Sequence, residues 1–375
     1  MKASPRTAVL IGEDIACDRR VLTSLAEYPV PEVVDVVKEA AAATGFSFHA
    51  YWRAAGALFS ALLRGRRLWS LLGRQYGLGS QEIAGGLSVS LRSFVRAQQG
   101  ARRLRGRLES VRLIHAHDLF CGVVGLELSK RSGAALVYDA HEIEFHRNRR
   151  NSWLRTAFDA AVERSVISGA CEVRVVNEPI AGLYARIHDV PPGRLRVVLN
   201  DHFVQCWQKG SIAEPARDAL AVVYVGGGVR GRQLERLAAE ANRFRIPVHA
   251  FFIGEVPEVA RAGGWMLGAR DYEGELRSLV AACRCVMWCC VDDVCLSYRL
   301  ALPNKFFQAL AVGIPVVAAA DTYLAEVVQA YDLGFTYDGR NFAAIVDGLR
   351  SPGFADLVGS VRRFRLALSA GSVRI

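Results

Sequence analysis

Short apolar runs alternate along the chain with longer stretches in which apolar residues recur at helical spacing. Runs of about four to six predict buried parallel strands, and the longer periodicity predicts helices covering the sheet. Ala8–Ile11 predicts the first strand. The loop GEDIACDRR (12–20) follows, then a helix to about Glu27. A second helix is predicted near Glu32–Ala43, and Phe46–Tyr51 predicts the next strand. After a helical region over 51–108, strands are predicted at Val111–Ala116, Ala134–Tyr138, Cys171–Val176 and Arg196–Leu199. Helices at Asp118–Lys130 and Trp153–Ser168 lie between them.

The polar, proline-containing stretch Asn200–Asp218 interrupts this alternation and predicts a linker. A second alternating series follows, with strands at Leu220–Val225, Val248–Ile253, Cys285–Cys290 and Pro315–Ala319. A last helix is predicted near Phe354–Leu368. The expected class is α/β: two Rossmann-like, doubly wound domains facing across a cleft. The expected boundaries are 1–200, a linker over 201–218, 219–350, and a C-terminal helix over 351–375 that can return to the first domain. Ligands of such sheets bind beyond the carboxyl ends of the strands, so the chemistry belongs to the loops there.

Composition adds limits. About half the residues are apolar (51%), which fits a globular chain. No apolar run reaches the roughly 18–20 residues that span a bilayer, and the apolar start is too short for a signal peptide. The expected location is cytoplasmic, with a peripheral place at the inner face of the cell membrane as an extension. The cysteines number nine, at irregular spacing, and do not form a disulfide framework. CRCVMWCC (283–290) reads as a buried strand with small apolar thiols rather than a zinc site. The net charge of +10 is concentrated between Tyr51 and Arg112, where arginines are opposed only by Glu82 and Glu109. Solvated helix faces, a helix lying on an anionic membrane surface, and nucleic acid all fit such a stretch. No recognition motif supports nucleic acid, so it is not expected as a partner.

Four motifs carry chemistry. In LSYRLALPNKFFQALAVGIPVVAA (296–319), Pro303 opens a helix and Gly313 closes it. The free N–H groups of the helix start that Pro303 opens, with Lys305 in the first turn, make that end an anion site. Gln308 can hydrogen-bond a hydroxyl, or is simply a polar surface position. GGGVRGR (226–232) satisfies G-x-G-x-x-G between a strand and a helix. With Gly227, Arg230 and Arg232 it suits a diphosphate better than a dinucleotide; close packing is the plain alternative. HAHD (115–118) and YDAHE (138–142) end neighbouring strands. They place His117, Asp118, His141 and Glu142 where a sugar hydroxyl or a developing charge would be met. Metal ligation by those four residues is the less favoured reading.

The order of these pieces resembles the family 4 glycosyltransferases of the GT-B fold, in their "PNK" subgroup. LPNKFFQALAVGIPVVA, VYDAHE, IHAHD, EDIACDRRVLTSL and VVYVGGGVRGRQLERL each resemble a segment of that family. The resemblance implies a nucleotide-diphosphate-sugar donor bound by the second domain, with Gly227, Arg230, Arg232, Pro303, Asn304 and Lys305 at the diphosphate and position 308 at the ribose. It implies His141 near the reacting carbon, with His117 beside it, and Gly12, Asp18, Arg19, Asp118 and Glu142 in the acceptor-side loops. It implies a retaining reaction with no metal and no cofactor. The family's E-x7-E carboxylates fall at positions occupied here by Leu300 and Gln308. A GT-B sugar-nucleotide epimerase, or a weakened paralogue acting as a binding protein, fits the same pieces.

Overall fold

The computed structural model describes residues 7–11, 27–28, 31–36, 38, 48–76, 86–147, 152–207, 219–229, 231–268, 273–292 and 295–375. Two compact units emerge: Met1–Leu199 with Cys295–Ser297, and Asn200–Val294 with Tyr298–Ile375.

The first unit is built on six strands: β1 (Thr7–Ile11), β2 (Pro31–Asp35), β3 (Leu113–His117), β4 (Ala135–Asp139), β5 (Glu172–Val175) and β6 (Leu195–Val197). They form one parallel sheet in the order β2-β1-β3-β4-β5-β6. β1 is buried along its whole length, as a central parallel strand covered on both faces must be. The helix Asp118–Ser132 lies so close to the sheet that a Cβ on Gly122 would meet the Tyr138 ring at 2.9 Å. Helices Phe48–Tyr76, Leu87–Leu104 and Trp153–Gly169 pack on one another beside it.

The second unit holds β7 (Leu220–Gly226), β8 (Val248–Phe252), β9 (Met266–Leu267), β10 (Arg284–Trp288), β11 (Val316–Ala319) and β12 (Gly334–Tyr337). Their order, β12-β11-β10-β7-β8-β9, is again parallel throughout and is that of a dinucleotide-type sheet. The order reverses between β7 and β10, which opens a crevice beyond their carboxyl ends. Tyr224, Leu237, Trp288 and Phe342 belong to its core. Cys283, Cys285, Cys289, Cys290 and Cys295 are buried free thiols, as the apolar reading of that strand expects.

Two expectations need correction, the helix near Glu32–Ala43 and the strand at Phe46–Tyr51. The helix predicted near Glu32–Ala43 begins as a strand, because Pro31–Asp35 pairs in parallel with Thr7–Ile11; the part beyond 38 lies outside the described residues. The strand predicted at Phe46–Tyr51 is the beginning of the helix Phe48–Tyr76. The stretch expected as a linker contains the short helix His202–Cys206, which clusters with the second unit; 208–218 lie outside the described residues. The C-terminal helix Phe354–Ser369 also belongs to the second unit.

Candidate active site

In the second unit, the turn after β7 and the start of the helix Asn304–Val312 bring their functional groups together. Pro303 caps that helix in extended backbone, and Gly313 ends it in the left-handed region. Lys305, in its first turn, is 6% exposed. Its Nζ lies 4.3 Å from the centre of the Tyr224 ring, with no hydrogen-bond partner among the described residues. Tyr224 donates to the Gly227 carbonyl (2.7 Å), so the ring is fixed beneath the glycine turn. The Lys305 Cε is 3.9 Å from where a Cβ on Gly226 would stand.

Arg232 is the second cation here. Its guanidinium stacks over Tyr298 at 4.6 Å. Burial first, and then the positive charge of Arg232, bring the Lys305 ammonium down to about 7. The Cys289 thiol is pushed up to about 12 by burial, with Lys305 and Arg232 acting against it. The turn is tied to the loop after β10, since Asp292 N donates to Gly231 O (2.9 Å) and Gln233 Nε2 to Val291 O (2.7 Å). The strand order reverses at that junction. Gly228 is held against the loop after β8, where a Cβ would stand 2.6 Å from Pro257 Cδ and 2.9 Å from Glu255 O. Gln308 sits buried one turn further into the helix. Arg230 lies outside the described residues.

In the first unit, the ends of β3 and β4 bring His117, Asp118 and His141 together. His117 Nδ1 is 2.8 Å from His141 Nε2. The other ring nitrogen of His141 is 3.8 Å from Asp118 Oδ1. Asp118 has φ 63°, a left-handed conformation uncommon outside glycine, at the first residue of its helix. Asp139 lies behind the histidines, 3.4 Å from His115 Nε2 and 3.7 Å from His117 Nδ1. Tyr28 and His115 Nδ1 are 3.1 Å apart. Glu142 is placed through its backbone: the Tyr184 hydroxyl lies 3.2 Å from its carbonyl and 2.6 Å from buried Glu163 Oε1. Gly12, Asp18 and Arg19 lie outside the described residues.

Several groups were not singled out from the sequence. Tyr224 reads there as one more core aromatic. Glu144 and Arg147 read as loop charges, yet they pair at 3.1 Å beside Asp118. Burial raises the Glu144 carboxyl well above its ordinary range, against the pull of Arg147, and Asp118 adds to the rise. Among the described residues, His115, His117 and Asp139 are the set whose ligand atoms lie within 4.8 Å of one another, a different set from the four residues considered from the sequence.

The family model of the glycosyl transferase 4-like domain matches residues 19–201. That stretch, just under half of the chain, is similar to the glycosyl transferase 4-like domain. No curated protein matches the sequence. Among solved structures, Anabaena HepE in complex with UDP is similar at 13% identity, with a TM-score of 0.56 over 98% of this chain and 100% of that one. Sucrose-phosphate synthase from Thermosynechococcus elongatus is similar at 19% identity, with a TM-score of 0.54 over 74% and 76%. The lipopolysaccharide outer core galactosyltransferase WaaB gives 13% identity and a TM-score of 0.50 over 72% and 77%. The two six-stranded parallel sheets are those of the GT-B fold.

Proposed function

We propose that this protein transfers a sugar from a nucleotide-diphosphate-sugar donor to an acceptor. The observation that carries the reading is the buried Lys305, whose amino group has no acceptor among the described residues and sits at the start of a helix, beside Arg232 and a glycine turn. A buried ammonium is costly to leave without a counter-charge. A diphosphate supplies that charge, and the helix start adds its amide dipoles. The UDP complex of the similar Anabaena HepE makes UDP the first nucleotide to try.

In this reading Gly227, Arg230, Arg232, Asn304 and Lys305 hold the diphosphate, and Gln308 meets the ribose. Catalysis is electrostatic: Lys305 and Arg232 stabilise the charge that builds on the departing diphosphate, where one well-placed donor is worth about 3 kcal/mol. His141, supported by His117 and Asp118, meets the sugar near the reacting carbon. The reaction retains configuration and needs no metal, so chelation leaves turnover unchanged. The acceptor is carried by a membrane surface, in the assembly of a surface polysaccharide or glycolipid, which suits the basic stretch 51–112.

A mass-spectrometric screen of activated sugars tests the reading. Sugar transfer from one nucleotide donor is the expected result. Conversion of the donor with no acceptor present would favour an epimerase instead. No conversion, and no thermal stabilisation by any nucleoside diphosphate, would sink both enzyme readings.

A further inference from the structure

The helix Phe48–Tyr76 has two apolar faces, and among the described residues only one is covered. Ala54, Ala61, Gly65 and Leu72 are buried. A Cβ on Gly65 would stand 3.3 Å from Ala157 Cβ, so this face is closely packed on the helix Trp153–Gly169. On the opposite face Trp52, Phe59, Leu62 and Leu63 are 70%, 65%, 50% and 67% exposed. Trp52, Phe59 and Leu63 follow one another at two turns and then one, so they form a stripe along the helix. Exposed side chains of this size in one stripe mark a contact surface.

Exposed arginines accompany the stripe on this helix and the next. Arg64 is exposed on the same helix. Arg92, Arg96, Arg102, Arg103 and Arg105 are exposed along and just beyond the neighbouring helix Leu87–Leu104. A cavity of about 210 Å³ opens on the covered side of the helix, where Ala61, Arg64 and Gly65 face Ala157, Arg164 and Arg186. Asp189 accepts from Arg164 at 2.7 Å, and Arg164 also donates to the Ile187 and His188 carbonyls. No described helix is long and apolar enough to cross a membrane. Aromatic and leucine residues on one side with arginines at the flanks are the pattern of a helix lying in the bilayer interface.

We propose that the helix Phe48–Tyr76 docks in the interface of an anionic lipid bilayer, with Trp52, Phe59, Leu62 and Leu63 among the acyl chains and exposed arginines, Arg64 among them, at the lipid phosphates. A second copy of the chain is the weaker occupant, because a two-fold contact would set one arginine-rich flank against another. The inference deepens the membrane-borne acceptor proposed above, but it depends on nothing in the donor site.

Co-sedimentation of the full chain with sucrose-loaded vesicles tests it. Vesicles of phosphatidylcholine alone are compared with vesicles that also contain phosphatidylglycerol. Wild type is expected to bind the anionic vesicles at least tenfold more tightly. Phe59→Glu with Leu63→Glu is expected to lower binding at least tenfold at every salt concentration, and the Ser pair at the same positions to lower it severalfold. Arg64→Glu is expected to lower binding severalfold at low salt only. Melting temperature and UDP affinity should be unchanged in all three, which separates this result from any failure of the donor reading. Wild type remaining in the supernatant, or the Phe59/Leu63 pair pelleting like wild type, overturns the proposal. Unchanged low-salt binding by Arg64→Glu overturns the assignment of Arg64 to the lipid phosphates. A micromolar dimer in analytical ultracentrifugation that the Phe59/Leu63 pair splits assigns the face to a second copy and overturns the bilayer.

Discussion

Lys305 Nζ lies over the Tyr224 ring, 4.3 Å from its centre, and Tyr224 in turn donates to the Gly227 carbonyl. One residue of β7 therefore links the lysine of the helix start to the glycine turn. A cation over an aromatic face gains some electrostatic attraction, though far less than a direct anion would give.

Binding of UDP should take up a proton. Burial, with Arg232 second, brings Lys305 to about 7 in the free protein, so above that pH it is largely neutral. A bound diphosphate favours the charged form and raises the value again. Affinity should therefore fall as pH rises from about 7 to 8.5, with proton uptake read from calorimetry in buffers of different ionisation enthalpy. Equal heats in all buffers would contradict it. The same lysine affects folding with a definite sign. Its folded value lies below its unfolded one of 10.5, so between the two the unfolded chain binds more protons and this group's contribution to stability rises with pH.

Gly228→Ala should destabilise the second unit by about 1–3 kcal/mol. The added Cβ would meet Pro257 Cδ at 2.6 Å and the Glu255 carbonyl at 2.9 Å, and backbone does not yield cheaply. Denaturant melts read the change, and a midpoint equal to wild type would show that the turn has room.

His141→Ala should lower turnover by roughly 100-fold or more, with donor affinity kept within about twofold. His141 is 2.8 Å from His117 in the first unit, whereas the donor residues Arg232 and Lys305 are in the second. Turnover measured beside calorimetry separates the two effects. Equal loss of donor binding would make His141 a structural residue.

Much of the fold was legible because central parallel strands are buried on both faces and read as unbroken apolar runs, as in Ala8–Ile11 and Leu220–Val225. Pro31–Asp35 was not legible. Val33, Val34, Val36 and Val37 fit a helical period as well as a strand, and parallel pairing with β1 decides the matter. Phe46–Tyr51 was misread because a short mixed run leading into Arg53–Leu63 gives no boundary. At the site, glycine spacing and the Pro303 helix start announced themselves. Tyr224 did not, since nothing local separates it from other aromatics of a core strand. Glu144 and Arg147 were hidden for the opposite reason: charges in a loop read as solvated, and only the folded chain shows Glu144 buried beside Arg147.

The central claim is that Lys305 receives the donor diphosphate, and calorimetric titration of Lys305→Met with UDP tests it most directly. Met keeps the length and removes the charge, so the fold should be kept or slightly stabilised, as when a buried charge lacking a partner is replaced by an apolar group. The account predicts a loss of UDP affinity of ten- to a hundredfold, about 1.4–2.7 kcal/mol, together with loss of the proton uptake. UDP affinity equal to wild type in a fully folded Lys305→Met protein would contradict it.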